Sequence, residues 1–310
     1  MERRTAHIGF GEAAMAFARG GIARGYDRKT DHAATRAAKL DDFARHDVLA
    51  CETAAQAVHD AAAVLSLVTA DQALIAATAA APHLRADTLW LDMNSVAPDT
   101  KRAAAVAIDA AGGRYVDVAV LAPVRPQRRD VPLLVSGPHA AAGAAALSAL
   151  GFGTIRTVPG GVGGASARKM IRSVMVKGLE ALTAEWMLAA EAAGITDEAI
   201  AALNASWPGT DWGAQADYNL DRMMVHGVRR AAEMEEAVKT LDALGTGSSM
   251  TRATVRRQRA IGLLGIAPPE GLAAKLAALS VATTSGAAGT PIGAQAAAGP
   301  TECGMSETRA

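Results

Sequence analysis

In the first half of the chain, short apolar runs alternate with alanine-rich stretches punctuated by Asp, Arg, Thr and Gly. Residues 6–8, 22–26, 48–51, 63–68, 88–92, 115–123, 131–137 and 154–158 have the length and composition of strands, with 48–51 read as a buried one. Between them, the run after Glu12, residues 53–60, residues 71–81 and a segment starting near Asp99 read as helices, and 30–45 as an amphipathic connection. Strands alternating with helices of this length require right-handed crossovers. They predict a doubly wound, mostly parallel α/β sheet whose ligand lies at the carboxyl ends of the strands.

From Pro159 the pattern changes. Residues 159–164 are rich in glycine and break regular structure before a long helix over 165–193. Ile171, Met175, Leu179, Leu182 and Trp186 recur there at helical spacing, which predicts that this face is core. The chain stays helical beyond Gly194, with Thr196-Asp197 as a start signal, a break at residues 207–209 and a further helix reaching Leu244. From Val281 the composition turns to Ala, Gly, Thr, Pro and Ser without an apolar period. The expected division is therefore a sheet domain over 1–159, a smaller all-α domain over 160–280 joined through the long interdomain helix, and a flexible tail over 281–310.

Composition narrows the partners. Basic and acidic residues balance at 31 each, so no global attraction to nucleic acid or an anionic membrane is expected. Half the chain is hydrophobic yet only 4% is aromatic, because alanine dominates, which suits closely packed helices more than a stacking surface. Cys51 and Cys303 are too far apart in sequence to suggest a disulfide framework or a metal site, and a reducing compartment fits them. The start runs directly into the first strand without the apolar core of a leader, and apolar stretches are too interrupted to span a bilayer, so a cytoplasmic location is expected.

The candidate chemistry begins at Gly9-Phe10-Gly11-Glu12-Ala13-Ala14, a G-x-G-x-x-A run between a strand and a helix. Gly9 permits the sharp turn, Gly11 lets backbone approach a pyrophosphate, and Ala14 packs helix on strand. Such a run also occurs as an ordinary glycine turn, but here an acid, Asp27, ends the next strand. A carboxylate there accepts from the adenosine ribose and disfavours a 2′-phosphate, which points to NAD, while Arg28 and Lys29 beside it leave NADP possible. Val68 and Thr69 end a strand at the same edge and face the cofactor, and Asp71 is placed to cap the following helix. Asn94 and Ser95 either offer donors to a substrate carboxylate or cap the helix that follows. The basic loop 125–129 is either a steering element or simply solvated. Lys169 and Ser173 share a helix face beside Arg172, placed to look back at the nucleotide domain.

Three motifs in order, Gly9-x-Gly11-x-x-Ala14, Asp92-Met93-Asn94-Ser95-x-x-Pro98 and Gly163-Gly164-x-x-x-x-Lys169, resemble the β-hydroxyacid dehydrogenase family, which includes 6-phosphogluconate and 3-hydroxyisobutyrate dehydrogenases. The resemblance spans roughly the first 190 residues. It implies a Rossmann-type domain, NAD(P)-dependent hydride transfer to or from a small, acidic hydroxy-acid substrate, Lys169 as general acid/base, and a homodimer. The chain departs from the family at Arg172 and Ser173, where paired asparagines are usual, at residues 120–122, where a Ser-Gly-Gly type loop is usual, and at Asn94-Ser95 in place of Ser-Thr. Further on, His226-Gly227-x-x-Arg230-x-x-Glu233-Met234 resembles the short helical C-terminal domain of a little-characterised branch of this family. Ala232-Glu233 falls where classical relatives carry a lysine-aspartate pair, which leaves His226, Arg229 and Arg230 as substitute substrate contacts. Two rival functions remain open: an imine reductase acting on C=N bonds, and an NAD-binding protein that turns nothing over.

Overall fold

The computed structural model describes residues 5–18 and 23–286. The ends of the chain, including residues 287–310 of the expected tail, and the glycine pair after the first helix lie outside the described residues.

Eight strands form one sheet: β1 (Thr5–Ile8), β2 (Arg24–Tyr26), β3 (Leu49–Ala50), β4 (Ala63–Ser66), β5 (Leu89–Asp92), β6 (Arg114–Val120), β7 (Leu133–Ser136) and β8 (Ile155–Thr157). Their order is β3-β2-β1-β4-β5-β6-β7-β8, and the pairing is parallel throughout except between β6 and β7. The chain runs from β1 outward to β3 and then returns to start a second set at β4. The crevice between the ends of β1 and β4 is therefore the switch point at which such sheets bind ligands.

Helices cover both faces: α1 (Glu12–Phe17), α2 (Ala33–Arg45), α3 (Ala54–Val58), α4 (Ala73–Ala80), α5 (Pro98–Ala110) and α6 (Ala140–Ala149). Alternate strand residues feed two cores, as the pleat demands. Ala6, Ile8, Val64 and Trp90 pack with Val58, Ala77 and Ile108, whereas Leu65, Leu91, Val116 and Val118 pack with Phe17 and Leu147 on the other face. Residues 48–51, expected as a buried strand, instead form the sheet edge. Leu49 is 61% exposed, since an apolar run this short carries no information about which side of the sheet it closes.

The chain then continues through α7 (Gly164–Ala193), α8 (Thr196–Ser206), α9 (Trp212–Ala243), α10 (Ser249–Leu263) and α11 (Leu272–Gly286). The first six residues of the expected tail are thus the end of α11. Two compact units result, one holding the chain up to Leu182 together with Val228–Val255, the other Thr183–Gly227 and the residues from Arg256 on. The sheet unit thus includes the start of α7 and a stretch of α9, beyond the 1–159 span expected for it. Within the second unit, Trp186, Trp207 and Trp212 cluster edge to face and tilted, and Lys275 pairs with Asp217 at 2.7 Å. Among the described residues no helix is long and apolar enough to cross a membrane.

The expected core face of α7 is overturned. Of the five residues expected there, Ile171, Met175, Leu179 and Leu182 are 51%, 64%, 41% and 59% exposed and only Trp186 is half-buried, against Trp212; the buried positions include Met170, Ser173, Lys177, Glu180, Ala181, Ala184 and Met187. The inward face of this helix carries ion pairs, so apolar spacing alone selects the wrong side.

Candidate active site

The first element of the site is the glycine turn. Gly9 has φ +82°, and a Cβ there would lie 2.6 Å from the Leu67 carbonyl oxygen, so only glycine fits. Its N–H donates to the Tyr26 carbonyl at 2.9 Å, tying the turn to β2. At Gly11, the residue preceding α1, a Cβ would meet nothing within 4 Å, and no side chain caps the helix. That open space and those uncapped N–H groups fit a dinucleotide pyrophosphate. Glu12 is exposed and Ala13 half-buried in the first turn, while Ala14 is buried against the sheet.

Phe10 contributes backbone only. Its ring is buried and stacked on Phe43 at 4.2 Å, its N–H donates to Asp27 Oδ2 at 2.8 Å, and its carbonyl accepts from Lys39 Nζ at 2.8 Å. Lys39 was not singled out in the sequence, yet its buried amine, paired with Asp42 at 2.7 Å, clamps the turn from α2. Asp27 also accepts the Lys29 N–H at 2.9 Å, which leaves part of its acceptor capacity for ribose hydroxyls. Arg28 and Lys29 are exposed beside it.

Val68 and Thr69 follow β4 at the same edge; the Val68 side chain touches the turn at Gly9, and Thr69 is exposed. Asp71 caps nothing, because α4 starts after Gln72 without a side-chain cap. The Asp71 carboxyl is held low by hydrogen bonds from Thr69 and Gln72.

Asn94 and Ser95 separate in role. Neither caps α5, whose preceding residue is Ala97; the Ala97 N–H donates instead to Glu236 Oε2 at 2.7 Å. Asn94 is buried, accepts from the Val68 N–H at 2.8 Å, and donates to Ser66 Oγ at 2.9 Å and Asp92 Oδ1 at 2.8 Å. Both amide hydrogens are engaged, so the expectation that they reach a substrate carboxylate gives way to a brace between β4 and β5. Ser95 is half-buried, and its hydroxyl accepts from Lys169 Nζ.

Lys169 meets a charged cluster along α7 and α9. Lys177 Nζ lies 2.9 Å from Glu233 Oε2 and donates to Ser173 Oγ at 3.3 Å, while Arg229 lies 3.3 Å from the other Glu233 oxygen. Burial of the Lys169 amine, with the positive charges of Lys177, Lys101 and Arg229, outweighs the attraction of Glu233 and draws its pKa from 10.5 to about 8. For Glu233, burial alone would raise the carboxyl, but Lys177, Lys169 and Arg229 overcome it and hold the pKa at about 2. Arg172, beside Lys169 and Ser173 in sequence, is exposed and donates to the Leu121 carbonyl at 3.2 Å. Arg230 is buried in a pair with Glu180 and braces α9 against α7. His226 falls in the other compact unit. In the basic loop, Arg129 donates to the carbonyls of Phe17 and Ala18 and so ends α1.

The sequence missed Lys177 and marked Glu233 only as a departure from the family, because a lysine on one long helix and a glutamate on another carry no spacing that joins them. A cavity of about 430 Å³ bordered by Pro98, Arg102, Gly160, Arg168 and Leu244 involves none of these site residues.

A family model described as the NAD binding domain of 6-phosphogluconate dehydrogenase matches residues 4–151, and one described as a domain of unknown function (DUF1932) matches residues 190–261. A conserved hypothetical protein from Sinorhizobium meliloti 1021 is 37% identical over 91% of this chain and 97% of its own, with a TM-score of 0.67. Two enzymes share the fold alone. One is a 3-hydroxyisobutyrate dehydrogenase from Mycobacterium tuberculosis, solved with L-serine, at 18% identity, 83% and 93% coverage and a TM-score of 0.65. The other is an imine reductase from Streptomyces aurantiacus, at 22% identity, 89% and 99% coverage and a TM-score of 0.52. Comparison with curated proteins finds no match. The chain belongs to the β-hydroxyacid and 6-phosphogluconate dehydrogenase-like family, in the branch that follows its NAD-binding domain with a short helical domain of unknown function.

Proposed function

We propose that the protein transfers hydride between NAD(P) and the CH–OH carbon of a small hydroxy acid, with Lys169 exchanging the hydroxyl proton. The nicotinamide, when bound, supplies the hydride chemistry. The chain's own share is to hold the pyrophosphate at Gly9–Ala13, the ribose at Asp27 and the substrate beside Ser95 and Lys169. In oxidation the neutral amine takes the O–H proton as the carbon gives up its hydride; in reduction the ammonium returns it.

The observation that carries this reading is the charge around Lys169. Lys169, Lys177 and Arg229 gather on one carboxylate, Glu233. A surplus of positive charge stabilises an alkoxide and an acid substrate, and it opposes the cation formed in imine reduction. Arg229, 49% exposed at its side chain, is the cation best able to meet a carboxylate arriving from solvent. The acidic substrate and a second copy of the chain, seated on the exposed stripe of α7, are the partners in this reading.

A panel of small keto acids and semialdehyde acids, assayed by NADH and NADPH oxidation with and without ammonia or methylamine, tests it. Alcohol products, indifferent to added amine, are expected. Amine products would favour the imine reductase, and tight cofactor binding with no oxidation across the panel would favour a protein that turns nothing over.

A further inference from the structure

Two carboxylates face each other in the register of β5 and β6, Asp92 beside Asp117, both fully buried. One equally buried cation serves both. Lys101 Nζ, from α5, donates to the Asp92 carbonyl at 2.6 Å and to Asp92 Oδ1 at 2.9 Å, and it lies 3.4 Å from Asp117 Oδ1. Asp92 Oδ2 accepts the Tyr115 hydroxyl at 2.6 Å. Asp92 Oδ1 also takes the Asn94 N–H at 3.0 Å and its side-chain amide at 2.8 Å, which fixes the turn that leads to Ser95.

Asp117 points the other way. Its Oδ2 accepts from Ser136 Oγ at 2.9 Å and from the N–H groups of Gly163, Ala165 and Ser166, each at 3.1 Å. These are the leading N–H groups of α7, so a carboxylate from the sheet caps the helix that carries Lys169 one turn later. The second negative charge, which Lys101 alone does not balance, thus sits at the positive end of a long helix. Ser166 adds a tie by donating to the Val96 carbonyl.

A buried ionic network of this kind is a poor source of stability compared with apolar packing, so its use lies in what it holds in place. It holds both partners of one contact: Asp92 braces the Ser95 turn, Asp117 braces the first turn of α7, and Lys101 joins the two.

We propose that Asp117 and Lys101 are positioning residues that set the register of Lys169 against Ser95, an inference that rests on the proton-exchange role proposed above for Lys169. Both are fully buried in the sheet unit. The network fixes the site through the second turn of α7 and the loop after β5.

The test is Asp117→Asn in the full-length chain, with lysine Cε carbons isotopically labelled and the Lys169 signal assigned by its loss in Lys169→Arg. Seven lysines in the chain make the assignment practical. The asparagine keeps an acceptor for the helix N–H groups but removes the charge. The groups that face Lys169, namely Glu233, Lys177, Lys101, Arg229 and the Ser95 hydroxyl, are unchanged.

With α7 released, the Lys169 titration midpoint moves up from about 8 toward 10.5 as the amine meets water. Turnover then falls about tenfold or more, while NAD affinity stays within about twofold. A midpoint that holds or falls overturns the proposal, since loss of one negative charge at fixed geometry can only lower it. Tyr115→Phe leaves no buried charge unpaired and serves if the asparagine variant does not fold. It should move the midpoint the same way by less, and an unmoved midpoint counts against the proposal. The titration reads the amine directly, so near-normal turnover in Lys169→Ala would remove the proton role without deciding the positioning claim.

Discussion

The amine of Lys169 donates a hydrogen bond to the hydroxyl of Ser95, a residue 74 positions earlier in the chain. The contact places the amine at the carboxyl edge of the sheet, where β5 ends next to β4. Lys169→Ala is expected to lower turnover by about 10²–10⁴ while NADH affinity, followed by fluorescence titration, changes by less than about twofold. Lys169→Arg should rescue nothing, because a guanidinium keeps its proton. Near-normal turnover in the alanine variant would remove Lys169 from the chemistry.

The direction of the Lys169 shift predicts opposite pH profiles for the two directions of reaction. Alcohol oxidation needs the neutral amine, so kcat/KM should rise with pH and level off above about 8. Reduction needs the ammonium and should decline above the same point. An oxidation limb that keeps rising to the ordinary lysine value of 10.5 would show that the amine is not desolvated in solution.

The exposed stripe on α7 predicts the oligomeric state. Ile171, Met175, Leu179 and Leu182 recur at the spacing of a helix–helix seam and stand 41–64% exposed in the single chain. A contiguous apolar row of this length is unusual on a monomer's surface, and a symmetric partner is the simplest cover. Sedimentation should find a dimer, and Met175→Glu combined with Leu179→Glu should find a monomer, because each copy then meets like charge on the other. A wild-type chain that sediments as a monomer at micromolar concentration would end this expectation.

The glycine turn and the alternation of strand and helix were legible in the sequence because each follows from a local rule: Gly9 needs a positive φ, and strands buried on both faces read as short apolar runs between helical stretches. Lys169 was singled out as the acid/base only through the family resemblance, on its spacing from Gly163-Gly164. What stayed hidden depends on which elements meet. The apolar spacing on α7 was visible but its side was not, since Lys177, Glu180 and Ser173 take the inward face through partners that only the fold supplies. Asn94 read as a donor to substrate because its three engagements, with Val68, Ser66 and Asp92, come from two neighbouring strands. Glu233 was noticed only as a departure from the family, and its weight comes from Lys177, which gave no signal of its own.

Asp27 joins cofactor choice to the shape of the turn, and its removal separates the two. The carboxylate accepts the Phe10 N–H at 2.8 Å and the Lys29 N–H at 2.9 Å, so it fixes the backbone of the turn, and in the proposed reading it also meets the ribose. Asp27→Ala should weaken NAD binding about tenfold or more, the size of a lost charged hydrogen bond. For NADP the loss should be smaller, because the carboxylate that repels a 2′-phosphate is gone while exposed Arg28 and Lys29 remain. Fluorescence titration of NADH and NADPH against both proteins measures the ratio. If the two cofactors lose equally, Asp27 acts only through the backbone of the turn, and preference must be set by residues on the other side of the ribose.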